Sequence, residues 1–245
     1  MNYQFDLFNG VIIDASTAPA DISAFQDALN NIVYLARSQQ KNLLWLTLDL
    51  SQATLIPAAT ALGFVFHSCL EQQLTLIQKA PTTTFVPFIP THTLGAGAIV
   101  QNGQGDILVI HERGQRGYKL PGGQVDPSEP IHAAVVREVF EETGISVKFQ
   151  SIVGFTGKDP YRLGKANLYF ICKAQPLTYE IAIQDTDEII DAKWLSPAAF
   201  MQDNNNALFN RQLIQLLTNT SGLQLIDLAG NEGPHYKHEI YFIPE

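Results

Sequence analysis

Three carboxylates, Glu138, Glu141 and Glu142, stand at spacings i, i+3 and i+4 in the stretch GGQVDPSEPIHAAVVREVFEETGI. On a helix that spacing places all three on one face, where like charges repel by a few tenths of a kcal/mol per pair. Something cationic should offset them. Carboxylate oxygens with no His or Cys in the cluster suit a hard divalent ion, Mg²⁺ or Mn²⁺, better than Zn²⁺. Such an ion keeps waters and phosphate oxygens in the rest of its shell, so taken alone the cluster reads either as a divalent-cation site open to a phosphate substrate or as a solvated acidic face.

The surrounding residues must position these acids. At 100° per residue the face opposite the glutamates carries Ala133, Val136, Val139 and Phe140, which predicts that this side packs on a sheet and that the acids point outward. Pro130 is expected in the first turn, where a missing N–H costs little, and Gly144 at the end of the helix. Gly122 and Gly123 precede it, and a residue without Cβ lets the backbone come close to a cation and its phosphates.

Read from Gly123, the chain runs Gly, five residues, Glu129, seven residues, Arg137-Glu138, Val139, Phe140, Glu141-Glu142, Thr143, Gly144, Ile145. This resembles the Nudix box, G-x5-E-x7-R-E-U-x-E-E-x-G-U, at every specified position. The resemblance implies that Glu138 and Glu142 are metal ligands, that Glu141 is a further or water-mediated one, and that the Gly122 carbonyl completes the shell. Glu129 and Arg137 then form an orienting ion pair, with Gly123 and Gly144 as architectural positions. The implied reaction is Mg²⁺-dependent (or Mn²⁺-dependent) hydrolysis of a nucleoside diphosphate linked to another moiety. Glu188, in DTDEIIDAKWLS, is the candidate general base because it precedes a strand and could swing over the metals.

GKANLYFICKAQP, DEIIDAKWLS and ALGFVFHSCLEQQLTLIQ are similar to segments of the two-domain Nudix group that contains plant ADP-ribose/NADH pyrophosphatases and the animal antisense fibroblast growth factor Nudix protein. That implies ADP-ribose or NADH as substrate, with coenzyme A or diadenosine polyphosphates as alternatives inside the class. It also implies an α+β, α-β-α architecture: a mixed sheet between helices, preceded by a smaller acetyltransferase-like α/β domain whose face suggests, by analogy, a homodimer. The strand after the box, GKDPYRLGKANLYF, departs from the group's usual Arg, His and Ser-Asp residues, which leaves the second moiety open. A non-catalytic nucleotide sensor on the same fold is the rival; the three retained acids favour an enzyme.

Basic residues gather between 113 and 165, and Arg116, Lys158, Arg162 and Lys165 are candidates for phosphate or ribose contacts. Tyr118, Phe155 and Tyr161 could stack on a base. Elsewhere the balance is acidic: Lys+Arg 15 against Asp+Glu 24, net charge −9. That repels nucleic-acid backbones. With 46% hydrophobic and 16% charged residues the chain is a folded globular protein. The start MNYQFDLFNG has no basic region before an apolar run, and nothing approaches the ~20 apolar residues of a membrane span, so a cytoplasmic protein is expected. Cys69 and Cys172 read as reduced, packed thiols.

KAPTTTFVPFIPTHT, with three prolines, reads as a connection that divides residues 1–90 from 91–245. The first part predicts β-α-β-α-β-β, with a helix capped by Asp21 burying Phe25, Leu29, Ile32, Val33 and Ala36. In the second, QNGQG between LGAGAIVQ and DILVIHER predicts a hairpin. Strands follow at FQSIVGF, NLYFICKA and AKWLS, then helices from Ser196-Pro197 and over NALFNRQLIQLLTNT, and a final strand at KHEIYFI.

Overall fold

The computed structural model describes residues 1–6, 9–80, 91–162, 164–217, 219–227, 229–233 and 236–243. Two compact units are present, Met1–Pro90 and Thr91–Glu245. The Pro/Thr-rich connection falls on residues 81–90, outside the described ones.

The first unit contains β1 (Tyr3–Phe5), β2 (Gly10–Ile13), α1 (Ile22–Ser38), β3 (Leu43–Asp49), α2 (Ile56–Ala61), β4 (Val65–Cys69) and β5 (Gln73–Lys79). Its sheet has the order β1-β2-β3-β5-β4, with β2 and β3 parallel. Asp21 caps α1 by accepting the Ala24 N–H, and the buried stripe is Phe25, Leu29, Ile32, Val33 and Ala36. These pack on Val11, Ile13, Leu44, Leu46, Leu48 and Leu76. Strand β1 is an addition to the expected order, three residues long with every side chain exposed. Cys69 is exposed at the end of an edge strand, against the packed thiol expected; Cys172 is buried.

The second unit contains β6 (His92–Val100), β7 (Ile107–Glu112), β8 (Gly122–Gln124), α3 (Ile131–Thr143), β9 (Val147–Lys158), β10 (Ala166–Pro176), β11 (Ile189–Leu195), α4 (Pro197–Gln202), α5 (Leu208–Leu217), β12 (Gln224–Leu225) and β13 (Tyr241–Phe242). Its main sheet is mixed, order β8-β6-β10-β9, with β6 and β10 parallel. Alternation along β6 and β10 gives each face its own core. Ala96, Ala98, Cys172 and Ala174 meet α3 through Ala134, Val135 and Val139. Ile99 and Ile171 on the other face meet α4 and α5 through Phe200, Leu213 and Ile214.

The QNGQG segment does turn, with the Asn102 N–H donating to the Asp106 carbonyl at 2.9 Å. The strands beside it then part, joined only by the bridge Gln101↔Ile107. β6 pairs with β8 and β10, and β7 pairs with β11. The stretches next to the turn, residues 95–100 and 107–110, are buried on both faces, so burial decides their partners and the turn alone does not. The final strand is also shorter than KHEIYFI suggests, with only Tyr241 and Phe242 paired to β12. Among the described residues no helix is long and apolar enough to cross a membrane.

Candidate active site

The helix α3 begins at Ile131, with Pro130 extended at the cap position rather than inside the first turn. It ends at Gly144, whose φ of 73° is left-handed and open to glycine at no steric cost. Its buried residues are Ile131, Ala134, Val135, Val139, Glu142 and Thr143, while Phe140 is 44% exposed and Ala133 and Val136 are half-buried. The apolar face expected from the sequence is therefore rotated. The true stripe runs 131, 134, 135, 139, 142, and a carboxylate occupies its last position, so a count of apolar side chains alone misses it.

Glu142 is 4% exposed. Its Oε2 accepts the Gly122 N–H at 2.6 Å, and its Oε1 lies 3.9 Å from the Lys119 Nζ. Burial pushes its pKa up to about 8; Lys119 and the Gly122 N–H pull it down, and the carboxylates of Glu138 and Glu188 push it further up. Glu138 is also raised, by burial, although Arg137 works against that. Lys119 pairs chiefly with Glu112 at 2.6 Å. Burial lowers the Lys119 pKa, and the charges of Glu142, Glu112 and Glu188 more than reverse the effect.

Arg137 braces the loop against the helix. Its Nε and Nη2 donate to the two carboxylate oxygens of Glu129, each at 2.8 Å, and Nη2 also donates to the Gln124 carbonyl at 3.0 Å. Nη1 donates to Glu138 at 2.8 Å and Glu141 at 3.0 Å. The bidentate bond holds the Glu129 carboxyl below its usual range, helped by the Asp126 N–H. These contacts divide the acids among cations within the protein. Among the described residues, no group of three or more His, Cys, Asp or Glu side chains is arranged to hold a metal ion.

Glu138 and Glu142 open on a cleft of about 900 Å³, whereas Glu141 is not among its lining residues. Glu138, Glu142, Glu188 and Lys119 stand on its wall with Gly122 and Gly123, and Lys158, Tyr161 and Arg162 on the β9–β10 side. Glu188 immediately precedes β11, and its backbone is pinned: its carbonyl accepts the Arg113 N–H at 2.7 Å, and the Arg113 side chain donates to the carbonyls of Asp187 and Thr186. What freedom this residue has therefore lies in its side chain, not in the swing of a loop.

Arg116, Lys165, Tyr118 and Phe155 are not among the lining residues. Arg116 is exposed on the loop after β7. Lys165 closes a turn, its N–H donating to the Arg162 carbonyl. Tyr118 is already engaged, its hydroxyl donating to Asp191 at 2.5 Å and its ring covered by the Lys193 ammonium at 3.8 Å. Phe155 pairs with Phe170 across the strands, while the next residue, Thr156, lines the cleft. Alternation along β9 thus turns Phe155 to the other face.

Several site residues were not legible beforehand. Lys119 is fixed by a backbone bridge to Ile110, Tyr169 lies under the glycines, and Phe209, Asn210 and Leu213 of α5 close one side of the cleft. Only Lys119 carried a signal, as a basic residue three positions before Gly122.

A Cβ on Gly123 would lie 2.5 Å from the Glu138 carboxylate. Because that carboxylate is the free end of a flexible side chain, Gly123→Ala should move it and leave the fold nearly intact. Turnover should fall about tenfold with the melting temperature little changed, which steady-state kinetics and calorimetric melting would check.

A model described as NUDIX domain matches residues 91–217, and one described as Nudix hydrolase domain matches residues 1–79. Nudix hydrolase 8 of Arabidopsis thaliana is 33% identical over 204 residues, 80% of this chain and 55% of that protein. The chain thus spans about half the length of that relative. Nucleoside diphosphate-linked moiety X motif 6 of Homo sapiens is 30% identical over 245 residues, covering 94% of this chain and 77% of that one. The solved MutT protein of Methanosarcina mazei shares 22% identity, with a TM-score of 0.45, over 54% of this chain and 96% of that chain. With the whole box carried on one loop and helix, and the domain match spanning the second unit's sheet, this chain belongs to the Nudix hydrolase family.

Proposed function

We propose that the chain hydrolyses a nucleoside diphosphate linked to a second moiety in the presence of Mg²⁺ or Mn²⁺, with ADP-ribose or NADH cut to AMP and a phosphorylated product. The observation that carries this reading is the cleft itself. The charges of Glu138 and Glu188 bear on the buried Glu142 there, and Lys158 at the end of β9 and Arg162 between β9 and β10 supply cations on the cleft wall. A volume of about 900 Å³ is within the range of nucleotide-sized ligands.

Glu138 and Glu142 would hold the cation, with Glu141 directly or through water and the Gly122 carbonyl as further donors. The donor set fits a hard ion because it is all oxygen. It is also short of positive charge, since Glu142 is buried with its nearest ammonium 3.9 Å away. A bound Mg²⁺ neutralises charge on phosphate oxygens and lowers the pKa of the attacking water. The Glu188 carboxylate accepts the proton of that water. Lys158 and Arg162 hold phosphate or ribose oxygens, and the Tyr161 ring, 5.5 Å from the Lys158 Nζ and 5.3 Å from the Arg162 guanidinium, offers a stacking face.

In this reading the first unit is an acetyltransferase-like layer, supported by its strand and helix order, and two copies pair through it. Sedimentation at monomer mass would remove that part alone.

Cation uptake must expel the Glu142 proton in the cation-free protein wherever the pH lies below about 8. The Mg²⁺ association constant should therefore rise about tenfold per pH unit from 6 towards 8 and level off above it. Calorimetric titration in buffers of different ionisation enthalpy would reveal the released proton. A flat profile would contradict the role of Glu142. Substrate choice is tested by chromatography of products after incubation with Mg²⁺ and ADP-ribose, NADH, NAD⁺, coenzyme A or a diadenosine polyphosphate. Release of AMP from ADP-ribose or NADH supports the proposal; tight binding with no turnover of any of them favours a sensor.

A further inference from the structure

The N-terminus of α3 lacks a cap of its own. Pro130 occupies the cap position and makes no side-chain bond to the first turn, which leaves N–H groups there in need of acceptors. The acceptors come from 108 and 109 positions downstream. The Ile131 N–H donates to the Glu239 Oε2 at 2.9 Å, and the His132 N–H donates to the Tyr241 hydroxyl oxygen at 3.3 Å. The Tyr241 hydroxyl in turn donates to the same Glu239 oxygen at 2.6 Å, so the two side chains act as one unit. A carboxylate at this end of a helix also meets the positive end of its dipole.

The segment carrying these residues is itself fastened to the sheet beneath α3. Leu223 and Ile152 of β9 exchange backbone hydrogen bonds, each at 2.9 Å. β12 and β13 pair Leu225 with Tyr241, and the Tyr241 ring packs edge-on against Phe149, 5.9 Å between centroids. Leu223, Leu225, Glu239 and Tyr241 all lie beyond residue 217, where the NUDIX domain match ends.

We propose that Glu239, oriented by Tyr241, is a positioning residue: it fixes the first turn of α3 and through it the register of Glu138, Glu141 and Glu142 against the Gly122–Gly123 loop. Ile131, Ala134 and Val135 key that turn into the sheet, so fraying it loosens the helix while leaving Lys158 and Arg162 on the opposite side of the cleft undisturbed. The cost should therefore fall on kcat and not on KM. This second half rests on the function proposed above; the capping half does not.

The test measures amide hydrogen exchange over residues 131–137 in the full chain, together with kcat and KM on ADP-ribose, for wild type, Glu239→Ala, Glu239→Gln and Tyr241→Phe. Loss of a cap should speed exchange of the first turn about fivefold in Glu239→Ala. The same variant should lower kcat several-fold at unchanged KM, with Glu239→Gln, which keeps an acceptor, recovering most of both. Tyr241→Phe keeps the ring and removes only the hydroxyl, and should speed exchange at His132 even if Glu239→Ala does not fold. Unchanged exchange in Glu239→Ala, or in Tyr241→Phe where the former is insoluble, overturns the proposal. So does a change in KM with kcat intact. Should wild type turn over no nucleotide, the functional reading fails while exchange still decides the cap.

Discussion

Glu142→Gln is expected to lower kcat about 10³-fold, because a correctly held cation is worth several kcal/mol of transition-state charge stabilisation and each 1.36 kcal/mol is tenfold in rate. Glutamine has the shape of glutamate and keeps an oxygen for the Gly122 N–H, so the loop stays in place. What it removes is a charge. The same change should stabilise the cation-free protein at high pH. The Glu142 carboxyl titrates at about 8 in the fold against an ordinary value of 4.5, so the folded state holds a proton that the unfolded chain has released between those values. Stability from this group therefore falls as pH rises through that window, and a neutral side chain escapes the loss. Denaturant melts with a chelator at pH 5 and pH 9 should show no advantage for the variant at the lower pH and a clear one at the higher. A variant that loses activity and stability together at pH 9 would mean a structural role only.

Arg137→Ala is the second large effect expected. One guanidinium joins the loop at Glu129 and Gln124 to the helix at Glu138 and Glu141, so its removal leaves three carboxylates without their shared cation. Hydrogen bonds to charged groups are individually worth about 1.5–3 kcal/mol, and this site is part exposed, so a loss of about 2 kcal/mol in stability is expected. Turnover should fall with it, by roughly 10²-fold, as Glu138 loses the partner that aims it. Arg137→Lys should recover little of either, because an ammonium cannot span Glu129 in two parallel bonds while reaching Glu138. Chemical denaturation and steady-state kinetics on one set of samples would check both. Full activity in Arg137→Lys would show that charge alone suffices and that the brace is not needed.

The parts of this site that were readable in the sequence are those fixed by local spacing. The helix over residues 131–143, its stop at Gly144, the Glu129–Arg137 pair and the cap at Asp21 all follow from residues within eight positions of one another. What was hidden depends on partners far along the chain. The direction in which α3 faces is decided by Glu142 meeting a loop N–H twenty positions earlier, a polar residue on a buried stripe. β8 is three residues long and mostly glycine, too short for any alternation to mark it. The turn at QNGQG is local and formed as its residues suggest, whereas β6 and β7 find parallel and antiparallel partners in β10 and β11, 74 to 88 positions away. Of the aromatic and basic residues, sequence proximity placed Lys158, Tyr161 and Arg162 in the cleft, but strand alternation and competing partners took Phe155 and Tyr118 elsewhere.

The most direct measurement is calorimetric titration of Mn²⁺ and Mg²⁺ into the purified chain at pH 8, run beside Glu142→Gln. Saturable uptake is expected for the wild-type protein, with proton release below that pH, and uptake at least about tenfold weaker in the variant. Equal binding by both would contradict that expectation, as would no binding by either in the presence of ADP-ribose.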